Sequence, residues 1–216
     1  MTENRIIFDN TLDNARKYDD FTKTTFNHVY PLIAGQILKR TGITNGICLD
    51  VGSGPGPLAI AIVLRSNLQI MALDNSSQML SCMMPNVHAL NLDARIIPLL
   101  GDVHAIPVAD ETFDLVISRG SYHFWNDLPT AFREVHRVMK PGGKGYIGGG
   151  YGSLEIQNEV FTGRKERGIV DNPNYPTRIR FRKFRIDNIE ASIKAVDIED
   201  YQIINDDSGF WMLLSK

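Results

Sequence analysis

The stretch Ile47-Cys48-Leu49-Asp50-Val51-Gly52-Ser53-Gly54-Pro55-Gly56 constrains this chain most: an apolar run ends in an acid, and glycines follow at every second position. The run predicts a buried strand, and Leu58–Leu64 behind it predicts a helix. Glycine lacks a Cβ, so a turn built this way can adopt positive φ and let a ligand approach the backbone closely. The spacing is Gly-x-Gly-x-Gly, not the Gly-x-Gly-x-x-Gly of a dinucleotide-binding turn that seats a pyrophosphate on a helix N-terminus. Pro55 and Pro57 also remove two N–H donors that a phosphate cradle would use. The loop suits a nucleoside without phosphates.

The pattern then repeats. Met71-Ala72-Leu73-Asp74 is a second apolar strand ending in an acid, eighteen residues beyond Gly56, where a carboxylate can accept both hydrogen bonds of a ribose diol. A third strand, Ile96–Leu100, runs into Gly101-Asp102-Val103. A fourth, Phe113–Ser118, opens into the loop Arg119–Trp125. An amphipathic helix over Leu128–Met139, the turn Lys140-Pro141-Gly142-Gly143 and a strand Lys144–Ile147 follow. Strands alternating with helices predict an α/β fold, a mostly parallel sheet with helices on both faces.

On these motifs the chain resembles the class I S-adenosylmethionine-dependent methyltransferases, in particular the small ubiquinone/menaquinone C-methyltransferase-like enzymes of the type 11 group. Asp50–Gly56 matches the first motif, Asp74 the ribose-binding acid and Gly101-Asp102 the adenine-side acid; Arg137–Gly143 matches the turn after the helix. The resemblance covers roughly residues 45–148. It implies a Rossmann-like seven-stranded sheet with an antiparallel last strand, S-adenosyl-L-methionine as cofactor and S-adenosyl-L-homocysteine as product. The cofactor-binding residues it implies are Asp50, Gly52, Ser53, Gly54 and Gly56 around the methionine part, with Asp74 and Asn75 at the ribose. Asp102 and Val103 fall at the adenine, Met79 on an adenine face, Ser118 at the end of the fourth strand, and Tyr18 on an N-terminal helix folded over the cofactor.

Composition agrees with this reading without producing it. The chain has 216 residues, 43% hydrophobic and 22% charged, as expected for one globular domain. A formal net charge of −2 gives no electrostatic argument for bulk nucleic-acid or membrane binding. Cys48 and Cys82 show neither a disulfide framework nor metal-ligand spacing, so no metal is expected. No apolar run approaches a membrane span and no leader pattern is visible, so a cytoplasmic protein is expected. The sequence sets no oligomeric state.

The whole chain reads as a single methyltransferase domain: an N-terminal helical cap over 1–40, a cofactor-binding core over 45–148, a variable insert over 150–186, and a C-terminal helix and hairpin over 187–216. Apolar positions from Phe21 to Leu38 recur near helical spacing, interrupted at Pro31 and ended at Thr41-Gly42. Residues 153–186 read as irregular, with Arg178–Arg182 an edge strand inside a basic cluster running from Arg164 to Arg185. Asp187 is expected as an N-cap with Glu190 completing a capping box, and Asp206–Gly209 as the turn of a closing hairpin. The cap and the insert are expected to form a lid, with Gly148, Gly149, Gly150 and Gly152 supplying its freedom to move.

Methyl transfer from a sulfonium needs positioning more than acid–base help. In the loop Ser118–Trp125, His123 is the candidate general base, since an unperturbed imidazole titrates near neutrality. Packing is its other reading. No Asn/Asp-Pro-Pro-Tyr/Phe sequence ends the fourth strand and no Pro-Cys nucleophile is present, so methylation of a flipped nucleic-acid base is unsupported. The expected partner is a small-molecule methyl acceptor, with the methylated atom (C, N, O or S) left open. Two rivals stand beside this reading: a non-catalytic S-adenosylmethionine-binding module, and a nicotinamide-dependent oxidoreductase.

Overall fold

The computed structural model describes residues 11–166 and 186–216. Seven strands form one sheet in the order β3-β2-β1-β4-β5-β7-β6, with β1 Asn45–Val51, β2 Asn67–Asp74, β3 Ile96–Leu100, β4 Phe113–Arg119, β5 Met139–Gly149, β6 Tyr201–Asp206 and β7 Gly209–Ser215. β1 to β5 pair in parallel, and β7 enters antiparallel between β5 and β6. The order turns around between β1 and β4, and there the loops leaving the two strands part and open a crevice at their C-terminal ends.

Neighbouring residues on each strand face opposite layers, so the sheet is apolar on both sides. Cys48, Leu115, Tyr146 and Trp211 face a layer built from α2 (Val29–Thr41), α3 (Pro57–Val63) and α4 (Ser77–His88), which contributes Ile33, Ile62 and Met83. Leu49, Val116, Ile147 and Met212 face the layer of α5 (Leu128–Val138) and the C-terminal helix, through Phe132, Val135 and Ile189. α1 (Leu12–Thr25) lies on α4, where Asn86 Nδ2 donates to Asp19 Oδ1 at 2.8 Å. The chain breaks between α1 and α2 at Phe26–His28, Pro31 sits in the first turn of α2, and Gly42 closes that helix at φ +73°. No helix among the described residues is long and apolar enough to cross a membrane.

Four expectations are corrected. Residues 154–166 are not irregular: they form α6 (Leu154–Glu166), started by Ser153, whose hydroxyl accepts from Ile156 N at 3.2 Å. Asp187 is not the N-cap of the C-terminal helix but lies inside it, in α7 (Ile186–Lys194). Lys140–Gly143 is not a free turn; β5 begins at Met139 and bulges there, tied by Lys140 Nζ to both Asp114 carboxylate oxygens at 2.8 and 3.0 Å. Gly148, expected to help free a lid, lies inside β5 instead. A Cβ on Gly148 would press on Trp211 Cα at 2.7 Å, and one on Gly150 would meet the Ser208 carbonyl, so both permit close approach of the β6–β7 hairpin. The edge strand expected at Arg178–Arg182 and most of the basic cluster lie outside the described residues.

Candidate active site

At the crevice, the ends of β1, β2 and β4 and the turn after β3 enclose a cavity of about 340 Å³. Its floor is the glycine loop, whose Gly52, Gly54 and Gly56 hold φ of +69°, +55° and +83°. Gly52 N and Ser53 N both donate to the Leu73 carbonyl, at 2.8 and 3.0 Å, which pins the loop to the end of β2. Asp74 completes the fastening. Its Oδ2 accepts from Gly54 N at 2.8 Å and its Oδ1 from Ser76 N at 2.9 Å, so one carboxylate ties the loop to the start of α4.

Asp50 stands at the base of this loop, 1% exposed, and its Oδ2 has no hydrogen-bond partner among the described residues. Burial, with the charge of Asp74 added, pushes its carboxyl up to about 7, against the backbone N–H of Ala59. The buried Ser53 hydroxyl is likewise without a partner there. Two unpartnered polar atoms on one cavity wall are unusual, since buried polar groups are nearly always satisfied. They point to a polar ligand with a donor for each.

The sequence expectations divide clearly. Tyr18, Asp50, Gly52, Ser53 and Gly54 line this cavity from α1 and the β1 loop; Asp74, Asn75 and Met79 line it from the β2 end and α4; Asp102 and Val103 line it from beyond β3. Gly56, Ser118 and His123 are not on its wall. Gly56 is the N-cap of α3, where an added Cβ would crowd Met83 Cγ at 2.6 Å, so its close approach is to the core. Ser118 is fully buried and shares a hydroxyl–hydroxyl bond with Ser121, whose Oγ donates to the Val51 carbonyl at 3.0 Å. That pair holds the β4 loop against the β1 loop.

His123 opens onto a second cavity of about 390 Å³, walled by Phe26, Tyr151, Leu154 and Gln157 and sharing Arg119 and Gly120 with the first. The expectation of a base titrating near neutrality needs correcting. The ring is 4% exposed, 3.7 Å from the Tyr122 ring, and burial lowers its pKa to about 3. It is therefore a neutral imidazole throughout the physiological range.

Sequence reading missed three residues. His104 follows Asp102 by two positions, and its ring and backbone N–H both bond the Asp102 carboxylate, holding that carboxyl below its usual range. Its other ring nitrogen, Nε2, accepts from Asp127 N at 3.2 Å, which fixes the turn after β3 to the start of α5. Arg119 ends β4 and stands at the junction of the two cavities, and Tyr30 of α2 supports it. An acid-turn pattern could have found His104. The pairing of Arg119 with residues 89 positions away in the chain had no local signal.

Comparison with known proteins matches this arrangement to a methyltransferase domain over residues 49–147. A crystal structure from Methanococcus maripaludis, provisionally assigned as an S-adenosyl-L-methionine-dependent methyltransferase, is 40% identical, with a TM-score of 0.88, covering 100% of this chain and 97% of that one. The chain belongs to the class I S-adenosylmethionine-dependent methyltransferases. Among curated relatives, the ubiquinone/menaquinone C-methyltransferase UbiE of Dinoroseobacter shibae is 34% identical over 97 residues, 44% of this chain and 39% of its own length, and a malonyl-[acyl-carrier protein] O-methyltransferase of Xylella fastidiosa is 36% identical over 98 residues, 45% of this chain and 32% of its own length. The zebrafish (Danio rerio) relative, named an arginine-hydroxylase, is 32% identical over 161 residues, 73% of this chain and 48% of its own length. The aligned part spans 29% to 39% of the first five curated relatives.

The cavity of this methyltransferase fits its cofactor. S-adenosylmethionine carries an ammonium, which suits the unpartnered Asp50 oxygen, and a ribose diol, which suits Asp74 at the rim. Asp102 and Val103 line the cavity from beyond β3, where a carboxylate acceptor and a backbone donor would suit an adenine edge.

Proposed function

We propose that this methyltransferase modifies a small molecule that reaches the cofactor through the second cavity. The observation that carries the reading is the pair of adjoining cavities. One is ringed by strand-end acids and glycines, the other by aromatic and polar side chains, and they share only Arg119 and Gly120 among their lining residues. Bound S-adenosylmethionine would supply a methyl carbon already activated by positive sulfur, so that the acceptor's lone pair displaces a neutral thioether.

The chain's own residues then have to hold and orient. Asp50 and Ser53 take the methionine end, Asp74 and Asn75 the ribose, Asp102 and Val103 the adenine edge, and Met79 an adenine face. Tyr18 covers the cavity from α1, and the buried Trp125 helps to exclude water. His123 acts as a neutral hydrogen-bond acceptor that orients the incoming molecule. A cytoplasmic setting belongs to this proposal and accords with Cys48 and Cys82 being buried free thiols.

The test is calorimetric titration with S-adenosylhomocysteine, followed by mass spectrometry of metabolite mixtures incubated with S-adenosylmethionine. The reading expects a single cofactor site and a product heavier by one methyl group. Cofactor binding with no methylated product from any pool would favour the non-catalytic module. The hydroxylase name of the zebrafish relative makes that product analysis the deciding step.

A further inference from the structure

Arg119 is the feature that the cofactor assignment leaves over. Its guanidinium lies 4.7 Å from the Phe26 ring centroid and 4.8 Å from that of Tyr30. Nη1 donates to the Tyr30 hydroxyl at 3.2 Å, while Nε and Nη2 donate to the Gly150 carbonyl at 3.3 and 3.0 Å. No carboxylate among the described residues pairs with it. A guanidinium has five N–H donors, so these contacts leave one on Nη1 and one on Nη2. Side chains this firmly held are pre-organised, and the planar fork suits an oxyanion.

Of the two acids that line the second cavity, one is engaged elsewhere and the other is exposed to solvent. Asp206, on the second cavity, is bonded to Arg40 Nη2 at 2.8 Å and to the backbone and hydroxyl of Ser208. Asp207 lies exposed on the hairpin turn. Arg119 is thus the charged residue common to the two cavities, with aromatic surface from Phe26 and Tyr151 beside it.

We propose that Arg119 binds an oxyanion, a carboxylate or phosphate, carried by the methyl acceptor, so that the acceptor is a small anionic molecule with an apolar or aromatic body. This rests on the reading of the first cavity as the cofactor site. The cofactor's own carboxylate is the competing ligand for Arg119, and the two sources give different results.

The test titrates the S-adenosylhomocysteine-saturated protein with benzoate, with inorganic phosphate and with neutral benzamide, by calorimetry. Benzoate or phosphate should bind and benzamide should not, with the stronger of the two naming the oxyanion. Arg119→Gln should weaken that binding roughly 10–150-fold, the range for hydrogen bonds to a charged group. Arg119→Lys, which keeps the charge, should recover part of it and guards against a folding defect in the first variant. The affinity for S-adenosylhomocysteine should stay within about twofold in both variants, a difference worth under about 0.5 kcal/mol. Equal binding of benzoate and benzamide would overturn the proposal. So would a tenfold or greater loss of S-adenosylhomocysteine affinity in Arg119→Gln, which would assign Arg119 to the cofactor; a wild-type protein that does not bind S-adenosylhomocysteine would instead sink the cofactor reading itself.

Discussion

The two cavities are built by opposite rules. The first is assembled from one local device, a strand end followed by an acid or glycine: after β1 and β2 a helix then begins, and after β3 the Gly101-Asp102 turn follows. The second draws Phe26 from the α1–α2 break, Arg119 from β4, Tyr151 from the segment between β5 and α6, Gln157 from α6, and Asp207 from the last hairpin. On the proposed assignment, backbone geometry fixes the cofactor side, and the acceptor side is fixed by side chains that meet only through tertiary packing. A scaffold arranged this way can keep one cofactor while its acceptor changes.

The sharpest way to break the contrast is to deform the glycine loop. Gly54→Val puts a β-branched side chain at φ +55° and disturbs the amide that Asp74 holds. Strain of about 1–3 kcal/mol plus a charged hydrogen bond of about 1.5–3 kcal/mol predicts a loss of S-adenosylhomocysteine affinity of about 60-fold or more. Calorimetry showing normal binding would detach the loop from the cofactor.

Asp74→Ala should come next, weakening S-adenosylhomocysteine roughly 10–150-fold. The sequence alone suggests that stability would be untouched. The structure predicts otherwise, because the carboxylate also holds the amides of Gly54 and Ser76, so thermal unfolding should move to lower temperature. An unchanged midpoint together with unchanged affinity would remove Asp74 from the site.

Asp50 sharpens the comparison through pH. Its carboxyl is raised to about 7 in the folded protein, so the folded state binds more protons than the unfolded one between the ordinary carboxylate range and about 7. Stability without cofactor should therefore fall as pH rises through that window, and Asp50→Asn should flatten the fall. Cofactor affinity should move the other way, rising with pH as Asp50 ionises to meet an ammonium. A pH-independent wild-type affinity would contradict this.

The smallest effect is expected at His123. With its pKa lowered to about 3, His123 should contribute no inflection to the pH–rate profile between about pH 5 and 8. His123→Gln should leave cofactor affinity unchanged and alter only acceptor turnover. An inflection near neutrality that disappears in His123→Gln would restore it as a base.

Legibility follows the same division. The strand ends, the glycine loop and the acids Asp50, Asp74 and Asp102 were readable because each is a local pattern whose meaning depends on neighbours a few residues away. α6 was hidden by its glycine-rich approach and by the prolines beyond it, although Ser153 followed by Leu154-Glu155-Ile156 carried a helix-start signal. The role of Gly148 and Gly150 could not be read, because the backbone they admit belongs to residues 208–211. His123 was read as a candidate base, but its basicity depends on burial, which periodicity does not report.

A crystal structure of the S-adenosylhomocysteine complex tests the central claim most directly. The account predicts the amino group on Asp50 and Ser53, the ribose hydroxyls on Asp74, and the adenine edge at Asp102 and Val103, with the sulfur facing the junction at Arg119 and Gly120. Ligand density seated instead in the second cavity, or a ribose that does not reach Asp74, would contradict it.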